Sequence, residues 1–103
     1  MGTAGVQDAL LLVTGRWGVP TLATLTRGRV RYSALRAQIP GISEKMLAKT
    51  LRDLECAGLV NRRQQAAMAP HVDYSLRALG IDIAYRMRGL MDWVDLHVHD
   101  LSC

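Results

Sequence analysis

Three basic side chains lie at helical spacing between residues 44 and 57 of this 103-residue chain. Lys45, Lys49 and Arg52 are four and three residues apart, and side chains at these spacings are neighbours on the surface of a helix. The opposite side of the same helix carries three leucines, Leu47, Leu51 and Leu54. A helix with this layout packs its apolar side on the domain and presents cations to solvent. The pattern predicts a recognition helix that meets base edges and phosphates in a DNA groove.

A basic stripe is also typical of an ordinary solvated helix, and the flanking residues favour the recognition helix over this alternative. Residues 39–43 (IPGIS) predict a turn before the helix, because the residue that precedes a proline avoids helical angles. Ser43 is a suitable N-cap, and Gly58 is typical of a residue that ends a helix. The segment 32–57 is therefore predicted to be a helix-turn-helix whose second helix spans residues 44–57.

The charge of the chain is unevenly distributed, which also favours a polyanionic partner. Residues 1–77 hold 11 basic and 5 acidic residues, a net charge of +6, whereas residues 78–103 hold 2 basic and 4 acidic residues, a net charge of −2. Eleven of the 13 basic residues are arginines, whose planar guanidinium group fits phosphates and guanine edges. The distribution predicts DNA at the basic face and a different contact at the acidic end.

Two segments after Gly58 change to the periodicity of strands. Residues 59–64 and 71–76 predict a hairpin whose loop ends at Pro70. Side chains of the second segment alternate between two faces, with Val72, Tyr74 and Leu76 on one face and His71, Asp73 and Ser75 on the other. A third short strand is predicted near residues 29–32, where it would pair with the hairpin. The region 59–76 is therefore predicted to be a wing beside the recognition helix.

Arginines on these predicted strands are further candidates for DNA contacts. Arg62 and Arg63 lie on the hairpin, and Arg31 lies on the short strand before it. Wing arginines commonly follow the phosphate backbone or enter the minor groove, although an exposed strand edge can carry them for solubility alone. Because adjacent strand residues point to opposite faces, only one of Arg62 and Arg63 is expected to reach DNA.

Apolar periodicity predicts four further helices, at residues 6–14, 19–27, 32–38 and 79–101. The first is apolar on more than one side, and such a helix is expected to be buried on more than one side. The last carries an apolar stripe along about six turns, which is longer than a body of this size can cover. The first and last helices are therefore predicted to form a homodimer about a two-fold axis.

Other reactive residues give weaker signals. Cys56 and Cys103 are too few and too far apart for a disulfide framework or a zinc site, and Cys56 is expected to be a reduced, semi-buried thiol. His97 and His99 are two residues apart and do not share a helix face, which argues against a metal site. The sequence holds no nucleophile–base pair, glycine-rich phosphate loop or paired acids, so neither an enzyme nor a cofactor is predicted.

Length and composition predict one domain in residues 1–103. Half of the residues are apolar, which is enough for a core without disulfides. No apolar run approaches the roughly 20 residues that span a bilayer, and the N-terminal residues lack the basic region of a signal peptide. A cytoplasmic protein without a membrane partner is therefore expected.

The motifs together resemble the HxlR-type family of bacterial regulators, which are relatives of the MarR winged helices. The resemblance runs from about Val6 to Trp93. It begins at residues 15–17, which are similar to the family's Gly-Lys-Trp, and at residues 31–35, which are similar to its Arg-Phe-x-x-Leu. The further matching positions are the turn at 39–43, the helix segments 45–47 and 51–55, the step 58–60 with Arg62, the Pro-x-Val-Glu-Tyr-x-Leu strand at 70–76, and Gly80.

This resemblance implies a homodimeric repressor or activator whose first and last helices form the dimer. Many members of the family carry a cysteine near the N-terminus that senses electrophiles or oxidants. The register set by Trp17 places that position at Ala4, which argues against thiol sensing by this route. The threonine that follows the family's last strand is Arg77 here, so the last helix is expected to lack its usual N-cap.

We therefore predict a mainly α fold with a small β-hairpin wing (α+β), namely a winged helix-turn-helix with a three-helix core and a long C-terminal dimerisation helix. The expected partner is double-stranded DNA at a pseudo-palindromic operator, bound by a homodimer that represses transcription. The predicted DNA-binding residues are Arg31, Ser43, Lys45, Met46, Lys49, Thr50, Arg52, Arg62 and Arg63. The predicted dimer residues are Val6, Leu10, Val13, Leu90, Trp93 and Val94. The alternatives are a protein-interaction module and a regulator that responds to an unidentified small molecule bound near the dimer helices.

Overall fold

A computed structural model describes residues 5–65 and 71–102 and divides them into five helices and three strands. The elements are α1 (Val6–Thr14), α2 (Gly18–Leu25), β1 (Val30–Arg31), α3 (Tyr32–Ala37), α4 (Glu44–Cys56), β2 (Val60–Gln65), β3 (His71–Leu76) and α5 (Ala78–His97). This order confirms the predicted mainly α fold with a small wing. The largest difference in bounds is at the end of α5, where residues 98–100 form a turn rather than continuing the helix to residue 101.

The strands form one antiparallel sheet in the order β1-β3-β2. The short third strand that the sequence predicts is present, and its Val30 pairs with Tyr74 of β3. On the other side of β3, Arg62 of β2 pairs with the same tyrosine. β3 is therefore the central strand. The predicted loop that ends at Pro70 lies outside the described residues.

The core lies between α2, α3, α4 and one face of the sheet. Its most deeply buried apolar side chains, all at most 2% exposed, are Leu22, Leu25, Leu35, Ile39, Leu47, Leu51, Leu54 and Val60. The three leucines of α4 follow the helical period, so one face of that helix is wholly covered. The predicted apolar side of the recognition helix is confirmed.

Both ends of α4 follow the predicted local chemistry. The Ser43 hydroxyl accepts a hydrogen bond from the Met46 amide at 3.1 Å, which satisfies an unpaired N–H group in the first turn. At the other end Gly58 has a φ of +82°, a conformation that residues with a Cβ atom rarely adopt. The amides of Gly58 and Leu59 then donate to the carbonyls of Glu55 and Leu54, which closes the helix.

α1 is not buried on more than one side within a single chain. None of its nine residues is buried, and only Leu12 and Val13 pack partly against the core. Val6 and Leu11 are 78% and 71% exposed. The elements described in one chain cover a single edge of this helix, so its burial on a second side stays a prediction for the dimer.

α5 is attached to the rest of the chain mainly through its first half. Of its 20 residues, three are buried, namely Gly80, Ala84 and Met87. Gly80 lies against the carbonyl oxygen of Leu59, and a Cβ atom at this position would overlap with that oxygen. The Arg77 side chain makes no capping hydrogen bond, as the sequence predicts. None of the described helices combines the length and apolar character that crossing a membrane requires.

Candidate nucleic-acid interface

The position of α4 is set by contacts between its first residue and α3. The Tyr32 hydroxyl donates a hydrogen bond to the Glu44 carbonyl oxygen at 3.2 Å, and the Arg36 guanidinium lies 3.8 Å from the Glu44 carboxylate. Burial raises the pKa of the Tyr32 phenol above its ordinary value of 10.0; the Glu44 carboxylate adds to this rise and Arg36 opposes it. The phenol therefore stays protonated as a donor at neutral pH.

The outer face of α4 presents the predicted cations to solvent. Lys45, Lys49 and Arg52 are all exposed, whereas the leucines of the opposite face are at most 1% exposed. The Lys49 ammonium lies 2.7 Å from the Asp53 carboxylate. This ion pair joins two neighbouring turns and holds the lysine on the exposed face.

Two residues of α4 differ from their predicted surroundings. Thr50 was predicted to contact DNA, but it is only 7% exposed and lies on the packed side of the helix, beside the leucines. Cys56 was predicted to be semi-buried, but its side chain is exposed. The reason is geometric, because Cys56 follows Leu54 by two residues, a rotation of about 200° that places it with the basic residues.

The remaining predicted residues of the helix-turn-helix are accessible. Met46 is 38% exposed, and Ser43 is exposed at the first turn of α4. Although the Ser43 oxygen accepts the capping bond, its hydroxyl hydrogen remains available as a donor. These two residues therefore extend the accessible face of α4 to its N-terminus, where the helix dipole favours an anion.

The two wing arginines point to different faces of the sheet. Arg62 lies opposite Tyr74 and Arg63 lies opposite Asp73, and residues directly opposite in an antiparallel pair share a face. Both arginines are exposed. Arg31 of β1 also lies opposite Asp73, so Arg31 and Arg63 share the outer face of the sheet, away from the core.

Asp73 is the residue of this region that sequence reasoning missed. Its alternation with Val72 and Tyr74 predicts the solvent face, yet it is only 5% exposed. It is covered by longer side chains that include Arg29, 3.7 Å away, and Gln65, 3.3 Å away. Its position between two basic strands becomes visible only once the pairing of β1 with β3 is known.

The predicted dimer residues lie on α1 and α5. Leu90, Trp93 and Val94 are between 41% and 58% exposed, and Val6 and Leu10 are more than half exposed. Val13 is partly buried. The side chains of α1 and α5 line an apolar groove between the two helices, which includes Val6, Leu10, Val13, Leu79 and Ile83.

The end of α5 contains a stacked aromatic pair. The rings of Trp93 and His97 lie 4.4 Å apart with an interplanar angle of 20°. The Nδ1 atom of His97 is 2.8 Å from the Trp93 carbonyl oxygen, which fixes the orientation of the imidazole. Trp93 therefore presents a rigid, half-exposed ring on the same helix as Leu90 and Val94.

Comparisons with known proteins agree with this geometry. The HxlR-like helix-turn-helix family matches the chain over residues 12–101. YtfH of Escherichia coli (strain K12), an uncharacterized HTH-type transcriptional regulator, is 42% identical over 95 residues, which cover 92% of this chain and 75% of that protein. The structure of ytfH from Salmonella typhimurium superposes with a TM-score of 0.84 and 41% identity, over 91% of this chain and 84% of that chain. The reduced form of the transcriptional regulator YodB from B. subtilis gives a TM-score of 0.81 at 26% identity, over 99% of this chain and 100% of that chain.

Proposed function

Because this chain belongs to the HxlR-like helix-turn-helix family of transcription regulators, we propose that it is a homodimeric repressor that binds a pseudo-palindromic DNA operator. Its family and relatives are regulators with a helix-turn-helix DNA-binding domain and are not enzymes. The proposal adds three features to this assignment: the groove that α4 enters, the contacts of the wing, and the two-fold assembly.

The exposed basic face of α4 carries the proposal. A helix that enters the major groove needs one side fully packed and the other side free to reach base edges. α4 has both, since Leu47, Leu51 and Leu54 are buried while Lys49 and Arg52 are exposed. An interaction module would instead be expected to present apolar side chains at this face. We assign base contacts to Lys45, Lys49 and Arg52, and a phosphate contact to Ser43.

The wing supplies contacts to the DNA backbone in this proposal. Arg31 and Arg63 share one face of the sheet, and Arg62 lies on the other. The exposed guanidinium groups at the sheet can follow phosphates on either side of a groove. Of the two hairpin arginines, only one is expected to reach DNA. If that arginine is Arg63, then Arg31 is a second candidate for a backbone contact, because it lies on the same outer face of the sheet.

The two-fold assembly follows from apolar surface that one chain leaves uncovered. Leu90, Trp93 and Val94 on α5 and Val6 and Leu10 on α1 are exposed, and large contiguous apolar patches on a monomer are unfavourable. A second copy of the chain provides a self-complementary cover. The resulting dimer would occupy two half-sites, and it would repress a promoter that those half-sites overlap.

In-vitro selection of bound DNA, followed by a salt titration of binding to the selected site, tests this function. We expect log K to fall with log salt by about 0.9 for each phosphate neutralised. Arg52→Ala should weaken binding to the selected site by about 1–3 kcal/mol. Arg88→Ala is the matched control, because Arg88 is an exposed arginine on α5 that pairs with Asp92. Equal effects of the two substitutions, or binding that is insensitive to salt, would overturn the assignment.

A further inference from the structure

Asp73 lies at the centre of the outer face of the sheet, between two arginines. It pairs with Arg31 of β1 on one side and with Arg63 of β2 on the other. Because directly opposite residues of antiparallel strands share a face, these three side chains form a cross-strand row of two cations with one carboxylate between them. The neighbouring strands are about 4.8 Å apart, so both arginines start close to the carboxylate.

Three further side chains converge on the same carboxylate from different parts of the chain. The Arg29 Nε atom lies 3.7 Å from Oδ1. Gln65 donates a hydrogen bond from Nε2 to Oδ2 at 3.3 Å, and the Nε2 atom of His71 lies 3.7 Å from the same oxygen. Arg29 precedes β1, Gln65 ends β2 and His71 begins β3, so Asp73 links all three strands.

The carboxylate is more deeply buried than the groups around it. The Asp73 side chain is 7% exposed, whereas Arg29 is 50% and His71 is 28% exposed. Its Oδ1 atom is buried without a hydrogen-bond partner among the described residues. A buried carboxylate is unfavourable unless nearby cations and donors compensate for its lost hydration. Arg29 and the Gln65 amide supply this compensation, and the Arg29 guanidinium is in turn attracted to the carboxylate.

We propose that Asp73 is a positioning residue for DNA binding, which holds the guanidinium group of Arg29 on the wing, beside the cross-strand row that contains Arg31 and Arg63. The proposal rests on the proposed function, since it assigns these arginines to phosphates. A free arginine side chain samples many rotamers, and each one that is already oriented loses less entropy when it meets a phosphate. Asp73 also separates arginines that would otherwise repel each other across the sheet.

The direction in which DNA affinity changes when Asp73 is replaced distinguishes a positioning role of Asp73 from an effect of its charge alone. Replacing Asp73 by asparagine keeps the shape of the side chain and raises the net charge of the protein by one. On charge alone this change strengthens attraction to DNA. If Asp73 orients Arg29, the same change weakens binding, because the Arg29 guanidinium loses the carboxylate that holds it.

The test measures the DNA affinity of Asp73→Asn by fluorescence anisotropy on the selected operator over a range of salt. We expect about a tenfold loss of affinity and a salt slope that is smaller by about 0.9, which corresponds to one lost phosphate contact. Asp100→Asn is the matched control, since it changes the charge equally at an exposed residue after α5. Unchanged or tighter binding by Asp73→Asn, or an unchanged salt slope, would overturn the proposal.

A second pair of variants keeps the test valid if Asp73→Asn does not fold. Arg29→Met removes a cation that Asp73 holds, and Arg27→Met removes an exposed cation two residues earlier, which forms no ion pair with the described residues. We expect Arg29→Met to lose at least about threefold more affinity than Arg27→Met. Equal losses, with wild-type binding intact, overturn this proposal alone. A wild-type protein that binds no selected DNA overturns the proposed function, and this proposal with it.

Discussion

The two ends of the molecule differ in how completely one chain covers its apolar residues. At the end formed by α3, α4 and the sheet, the inward side chains Leu47, Leu51 and Leu54 are at most 1% exposed and the outward residues are mostly polar or charged. At the end formed by α1 and α5, no residue of α1 is buried, and much of the apolar surface of α5 is exposed. The first end is complete within one chain, and the second has the surface of an unfinished interface.

This contrast indicates two different constraints on the sequence. The helix-turn-helix must hold its shape in one chain, because the spacing of its cations decides which groove positions they reach. In the proposed dimer, the α1 and α5 helices need only a surface that a second copy completes. Substitutions at the two ends are therefore expected to act on different quantities, namely the free energy of unfolding and the dissociation constant of the dimer.

The largest effect is expected from truncation in the core. Leu51→Ala removes a side chain that is 1% exposed and should lower the free energy of unfolding by about 2–5 kcal/mol. Leu11→Ala is the control on α1, where the side chain is 71% exposed, and should cost less than about 0.5 kcal/mol. Urea denaturation at one fixed protein concentration measures both. Similar losses in the free energy of unfolding for the two variants would show that the two ends do not differ in how much their apolar side chains stabilise the fold.

The second effect concerns the dimer. Leu90→Asp places a charge in the exposed apolar surface of α5, where Leu90 is 58% exposed, and should weaken dimerisation by about 2 kcal/mol or more. Ser102→Asp adds the same charge at an exposed residue beyond the helix. Sedimentation equilibrium at micromolar concentration should show monomers for the first variant and dimers for the second. A wild-type chain that sediments as a soluble monomer would contradict the dimer.

A smaller effect is expected at the N-terminus of α4. Ser43→Ala removes the acceptor of the Met46 amide and should lower the free energy of unfolding by about 1 kcal/mol. Ser33→Ala changes an exposed serine of α3 and should have less effect. Thermal denaturation of the two variants checks the difference, and an equal shift in both midpoints would show that the cap is not needed.

The smallest effect is a pH dependence at the contact between α3 and α4. Because the pKa of Tyr32 is raised in the folded protein, the phenolic proton is bound more tightly when the chain is folded. Its contribution to stability is therefore present below a pH of about 10 and is lost as the pH rises through the folded-state pKa. Urea midpoints measured across this range should fall less steeply for Tyr32→Phe than for wild type. Tyr85→Phe, at a residue that is 79% exposed, should follow wild type.

The parts of this structure that the sequence predicts are those set by nearby residues. The buried and exposed sides of α4 follow from a helical period within 13 residues, and Ser43 and Gly58 mark its ends through local hydrogen bonds and a positive φ. The third strand is not set by nearby residues; it is predicted by analogy with many domains that pair a short strand at this position with the hairpin.

The parts that sequence reasoning missed depend on distant neighbours. The burial of Asp73 requires the pairing of β1 with β3, which joins residues more than 40 positions apart. The exposure of α1 depends on what covers it, which its own apolar pattern does not specify. Cys56 is different, since its rotation from Leu54 already places it outside the packed face.

A hydroxyl-radical footprint of the wild-type protein on its selected DNA site tests whether a dimer places two copies of α4 on one DNA molecule. We expect two protected patches related by two-fold symmetry, whose centres lie about one helical turn, roughly 34 Å, or a small multiple of it apart. Arg52→Ala should weaken both patches equally, since each comes from one copy of α4. A single protected patch, or two patches that Arg52→Ala leaves unchanged, would contradict this arrangement.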